Sequence, residues 1–160
     1  IGKPIQEAVE KAIEGLGLKL NKEKTRILNL EAGDRLDFLG YTIYLGGGRR
    51  EQIQLRPSQK ACQRLRDKVR RIVNREQIRR GLEGIIAVLN PVLQGWRQYY
   101  VLSNLSRTFW KLDYFVTARF YRAAKKASQR PSKIFKPGVY EVLRRKGLYS
   151  LALAGCPANA

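Results

Sequence analysis

Between residues 4 and 16, Ile5, Val9, Ala12, Ile13 and Leu16 recur at helical spacing, with Pro4 in the first turn and Gly15 and Gly17 near the exit. That pattern predicts a helix over 4–16. From Lys19 to Leu55 the period changes to two. The segments TRILNL, LDFLGYTIYL and EQIQL are short, rich in β-branched and aromatic residues, and separated by EAGD and LGGGRR, so they predict a small antiparallel sheet. After RPS the helical period returns and holds to about Ser128. The simplest account is a boundary near Pro57, with a mixed α/β part at 1–56 and a helical part with a basic tail at 57–160.

The helical part opens with SQKACQRLRDKVRRIV, which carries two separable stripes. Ala61, Leu65, Val69 and Ile72 fall on one side at about 100° per residue, and Lys60, Arg64, Lys68 and Arg71 form a basic row beside them. Arg66 and Arg70 extend the positive charge, and Asp67 is the only acid. A charge run is usually a solvated face. Here the imbalance of sign points to phosphate, because a merely soluble helix mixes Glu with Lys at i and i+4.

In the next segment, LNPVLQGWRQYY at 89–100, a proline and a glycine interrupt an amphipathic pattern. Leu82, Ile85, Ile86, Leu89, Leu93, Trp96 and Tyr100 nevertheless keep one helical phase on both sides of Pro91. The preferred reading is a helix that continues through the proline with a kink, since a real break would not keep that phase. The competing reading caps a new helix with Asn90 and starts it at Pro91. Pro91 and Gly95 lie four apart, opposite the apolar stripe, and make a shallow notch for a partner backbone, either RNA or a neighbouring helix. Trp96, Tyr99 and Tyr100 add large surfaces beside Arg97; as ordinary core, Trp96 and Tyr100 have a simpler use than as base-stacking platforms.

Composition narrows the chemistry. A share of 44% hydrophobic residues supports a packed core, while 32 Lys and Arg against 13 Asp and Glu give a formal charge of +19. Self-repulsion on that scale suits a polyanionic partner, nucleic acid ahead of an anionic membrane surface. No apolar run approaches a membrane span. There is no histidine, and Cys62 and Cys156 are far apart, which excludes a zinc finger and a histidine-based nuclease.

Three stretches together resemble one family. LNPVLQGWRQYY resembles the maturase-specific motif of group II intron-encoded proteins; GLGLKLNKEKTRI (15–27) resembles the sixth conserved block of their reverse transcriptases, and DFLGY (37–41) the seventh. They stand in the family's order over nearly the whole chain, leaving the tail weakly covered. The resemblance implies an α+β fold: the end of a polymerase palm at 1–56, a small antiparallel sheet with one helix, followed at 57–160 by an all-α thumb and maturase bundle, called domain X. By motif position Phe38, Leu39, Gly40 and Tyr41 would form the hairpin that holds the primer end, with Gly40 admitting a close backbone. The residues alone also allow Leu39 and Tyr41 simply to fill a sheet face. Lys24 and Thr25 match the lysine–threonine pair near the family's active site. Asn90, Pro91, Gly95, Trp96, Tyr99 and Tyr100 make up the maturase motif, with Lys60, Arg64, Lys68, Arg71 and Arg97 as candidate RNA contacts. The implied partners are structured group II intron RNA and an RNA/DNA template-primer duplex, in service of reverse transcription, splicing and intron mobility, in the bacterial cytoplasm or an organelle.

The chain also departs from the family. Two-metal phosphoryl transfer needs closely placed carboxylates. Asp34, Asp37, Asp67 and Asp113 are the only aspartates, and no Tyr-x-Asp-Asp motif is present. The Mg2+ ions expected in the parent polymerase would belong to a block upstream of Ile1. This chain is therefore expected to be catalytically inactive alone, with no catalytic residue, metal site or cofactor of its own. The alternative is a stand-alone, non-enzymatic RNA-binding or RNA-folding module.

The segment LSRTFWKLDYFVTARFYRAAKKAS shows two apolar sides, Leu105, Phe109, Leu112, Val116, Phe120 and Ala123 on one and Trp110, Tyr114 and Tyr121 on the other. A helix buried on both sides is expected, with other helices on one face and the tail on the other. Within the tail, punctuated by Pro131, Pro137 and Gly147, a short helix is predicted around Val139 to Arg145.

Overall fold

The computed structural model describes residues 2–19, 21, 25–46, 52–103, 106–127 and 138–153. Lys24, Leu105, Pro131, Pro137 and Cys156 lie outside the described residues. The element order is α1 (Gly2–Gly15), β1 (Leu36–Phe38), β2 (Tyr41–Gly46), β3 (Gln52–Pro57), α2 (Gln59–Ile72), α3 (Arg75–Arg80), α4 (Leu82–Tyr99), α5 (Ser106–Ala127) and α6 (Val139–Arg145). The fold is α+β, a three-stranded antiparallel sheet in the order β1-β2-β3 followed by a helical bundle. Among the described residues no helix is long and apolar enough to cross a membrane.

The core lies in the bundle. Leu65 and Val69 of α2, Ile78 of α3, Ile85, Leu89 and Leu93 of α4, Phe109, Leu112, Val116 and Phe120 of α5, and Leu143 of α6 are buried together. Local signals start the helices. Ser58 caps α2 by accepting from Ala61 N at 3.2 Å, and Asn74 caps α3 by accepting from Gln77 N at 3.0 Å. Helix α4 runs unbroken through Pro91, so the continuous-helix reading holds and Asn90 is no cap. Proline has no N–H for the Ala87 carbonyl, but Ala87 is on the exposed side of the helix.

Two expectations are corrected. TRILNL forms no strand: residues 25–29 have no regular structure and a turn follows. Its backbone is diverted locally, since Asn29 N donates to the Asp34 carboxylate at 2.9 Å while Asn29 Oδ1 accepts from Glu31 N and Ala32 N. Such side-chain bonds compete with a sheet ladder. Nor is α5 buried on both sides. Phe109, Leu112, Val116, Phe120 and Ala123 are in the core, but Trp110, Tyr114 and Tyr121 are exposed. Helices α2, α3 and α6 contact α5, and the exposure of those three rings shows that none of these helices covers their face.

The tail returns to the bundle through one buried carboxylate. Asp113 accepts from Ser150 Oγ at 2.7 Å, Leu151 N at 2.9 Å and Ala152 N at 3.0 Å. Leu151 is thereby seated in the core. Removing that acceptor orphans several donors at once, and hydrogen bonds to charged groups contribute about 1.5–3 kcal/mol each. Asp113→Ala is expected to lower stability by on the order of 2–4 kcal/mol and to abolish hydrogen-exchange protection at Leu151 and Ala152. Unchanged protection at those amides would show that the tail is held by something else.

Candidate nucleic-acid interface

Helix α2 buries Ala61, Cys62, Leu65 and Val69 and leaves Lys60, Arg64, Lys68 and Arg71 exposed, as its two stripes require. Among the described residues the ion pairs are Arg70–Asp67, Arg145–Glu141 and Lys146–Glu83, and none engages that row. Asp67, the one acid of α2, is held by Arg70 and by Gln63. The row therefore presents positive charge without an internal partner.

Where α2 meets α4, Arg64 and Lys68 line a groove of about 380 Å³ whose other walls include Leu65, Pro91, Val92, Gly95 and Trp96. Arg71 lines a second hollow of about 260 Å³ with Gln77, Gly84, Ile85 and Val88. Gly84, Val88, Pro91 and Gly95 fall on one face of α4, opposite Ile85, Leu89 and Leu93. That low-profile strip extends about 16 Å along the helix. Among the described residues a Cβ at Gly84 or Gly95 would meet nothing within 4 Å, so the notch is open there and none of the described helices fills it. Gly84 and Val88 escape a reading centred on the Pro91–Gly95 pair. Their signal was the continuation of the same helical phase one and two turns earlier.

The aromatic end of α4 faces inward to the sheet. Trp96 packs against Tyr100 with ring centroids 4.5 Å apart and edge-on to Phe109 at 6.0 Å. Tyr100 is buried, Trp96 half-buried and Tyr99 exposed. Tyr99 Oη donates to Leu39 O at 2.8 Å, and Tyr41 Oη donates to Tyr99 O. The hairpin turn Leu39–Gly40 has both φ angles positive, +47° and +81°, as a two-residue primed turn requires. It is unusual for leucine, and the Tyr99 hydroxyl fastens that residue. A Cβ on Gly40 would stand 2.7 Å from Tyr100 Oη. The close approach that Gly40 permits is thus taken up by the side chain of Tyr100, at the C-terminal end of α4. Burial lifts the Tyr41 and Tyr100 phenols above their ordinary pKa, with Tyr99 adding to both, so they remain protonated donors at neutral pH. Phe38 stays exposed at the turn's edge.

Two motif residues are turned to the tail. Asn90 Nδ2 donates to Gly147 O at 2.8 Å, and its Oδ1 accepts from Tyr149 N at 2.9 Å. Arg97 Nε donates to Leu151 O at 3.2 Å, with its guanidinium 4.5 Å over the Phe109 ring. Thr25 is engaged locally, its hydroxyl donating to Asn21 O at 2.9 Å. The structure brings Arg64, Lys68, Pro91, Gly95 and Trp96 to one groove, and Leu39, Gly40, Tyr41, Tyr99 and Tyr100 to one joint.

Among the described residues no three Asp, Glu or Cys side chains gather as a metal site would require. Asp113 holds the tail, Asp67 holds Arg70, Asp37 accepts from Thr42 Oγ1, and Asp34 accepts from Asn29 N. Asp37, Asp67 and Asp113 sit on three different elements and Asp34 in the loop before β1, each engaged where it stands.

Residues 62–141 match the model of the group II intron, maturase-specific domain. The match covers half of the chain, from α2 into α6, and contains both the groove and the Asn90–Tyr100 motif. No curated protein matches the chain.

The hairpin joint has a direct test. Gly40→Ala is expected to destabilise the protein by about 1–3 kcal/mol through the positive φ alone, with a further cost from the Tyr100 hydroxyl. In a Tyr100→Phe background that further cost disappears, giving a non-zero coupling in a double-mutant unfolding cycle. Strictly additive effects would mean that the two residues do not meet.

Proposed function

Since the chain belongs to the group II intron maturase-specific domain family, we propose that it is the RNA-binding thumb and maturase region of a group II intron reverse transcriptase, gripping structured intron RNA and template-primer duplex. The observation that carries this reading is the convergence of Arg64 and Lys68 with Pro91 and Gly95 in one groove. Cations on one rim neutralise phosphates and release counterions, a contribution independent of sequence. The bare backbone at Gly95 lets a ribose–phosphate chain lie closer than any side chain would permit. Arg71 and Gly84 continue the same arrangement along the crease. Nucleotide addition is assigned to the parent polymerase and its Mg2+, outside these residues. The same groove would equally serve a second reading, a non-enzymatic module that helps RNA fold.

Arg64→Ala and Lys68→Ala are each expected to weaken binding to unrelated structured RNAs about equally, and to lower the salt slope by roughly 0.7–0.9 log units per log unit of salt. Gly95→Ala separates groove from helix. With open space around the added methyl, it should stabilise the fold by about 0.8–1 kcal/mol through helix propensity, yet weaken RNA affinity. RNA titrations at several salt concentrations and thermal melts check these outcomes; unchanged slopes would make the row a solvated face.

A further inference from the structure

Helix α5 carries a second surface on the side away from the core. Trp110, Tyr114 and Tyr121 are 49%, 76% and 51% exposed. On a helical projection they fall within about 40° of one another. Arg107, Lys111, Arg122 and Lys125 are exposed around them. The helix has one acid, Asp113, which is buried and engaged by the tail. Three large rings in a row, held in water, form an apolar patch of the kind that marks an interaction surface.

The charge around the rings selects the occupant. A second copy of this chain would bring four like cations to the same face, on a molecule of net charge +19, and would be repelled. An RNA duplex offers phosphates but keeps its bases stacked inside, out of reach of the rings. An unpaired strand offers both phosphates and free base faces. Trp110 and Tyr114 are separated by about 6 Å along the axis, and Tyr114 and Tyr121 by about 10 Å, so an extended strand following α5 can meet the rings in turn. Interleaved cations and aromatics are the elements of sequence-tolerant single-strand binding.

We infer that the exposed face of α5, centred on Trp110, Tyr114 and Tyr121, is a stacking platform for unpaired nucleotides, distinct from the α2–α4 groove. It shares no residue with that groove and stands whether or not the groove binds RNA.

The test uses the whole chain and two probes, a single-stranded oligouridylate of about 12 nucleotides and a blunt RNA duplex of the same length. Tyr114→Leu, which keeps apolar bulk but removes the ring, is expected to weaken oligouridylate binding roughly tenfold, whereas Tyr114→Phe keeps it within about twofold. Duplex affinity and melting temperature should stay the same in both variants. Normal oligouridylate binding by Tyr114→Leu would overturn the inference, as would an equal loss on both probes. So would a dimer in sedimentation that Tyr114→Leu dissociates, because the face would then be a protein interface.

Discussion

The apolar stripe of α4 keeps a single phase across Pro91, and the rest of the molecule is arranged around that continuity. Ile85, Ile86, Leu89 and Leu93 face the core on both sides of the proline. Any break in phase would rotate the second half of the helix and expose part of that stripe. With the phase preserved, Gly84, Val88, Pro91 and Gly95 are turned together to the opposite side, toward the cations of α2. Proline is tolerated because the carbonyl it leaves unpaired lies on the exposed side, where water can serve it.

The same constraint assigns two kinds of work to one short motif. Residues on the outward face shape the groove; those on its flanks fasten other parts of the chain. Asn90 clamps the backbone at Gly147 and Tyr149, Arg97 reaches Leu151, and Tyr99 and Tyr100 receive the hairpin at Leu39 and Gly40. Asp113 completes the tail's attachment from α5. Apart from the close packing of Tyr100 on Gly40, these are side-chain to backbone bonds over long sequence separations, so the motif's spacing is a requirement of assembly as well as of any contact with RNA.

What could be read from the sequence follows from that division. The helical period located α2, α4 and α6, down to Val139–Arg145, whereas the hairpin at Phe38–Tyr41 was marked by the family resemblance alone: alternation runs through LDFLGYTIYL as one segment, which the chain breaks at Leu39–Gly40 into β1 and β2. Periodicity states which residues could share a face, not whether anything covers it. Hence Trp110, Tyr114 and Tyr121 form the stripe that was expected, but in solvent. TRILNL has strand composition, yet Asn29 and Asp34 divert its backbone. The engagements of Asn90, Arg97 and Asp113 leave no periodic trace at all, because their partners are backbone atoms dozens of residues away.

The groove on α4 and the aromatic face of α5 would suit different parts of one folded RNA, phosphate backbone at the first and unpaired bases at the second. The groove is the central claim, and Val88 is well placed to test it, being exposed within the outward strip between Gly84 and Pro91. A photoreactive amino acid substituted at Val88 should crosslink to bound structured RNA, and the crosslink should fall sharply when Arg64 and Lys68 are both replaced by alanine. Absence of an RNA adduct at Val88, or an adduct indifferent to those two cations, would contradict the account.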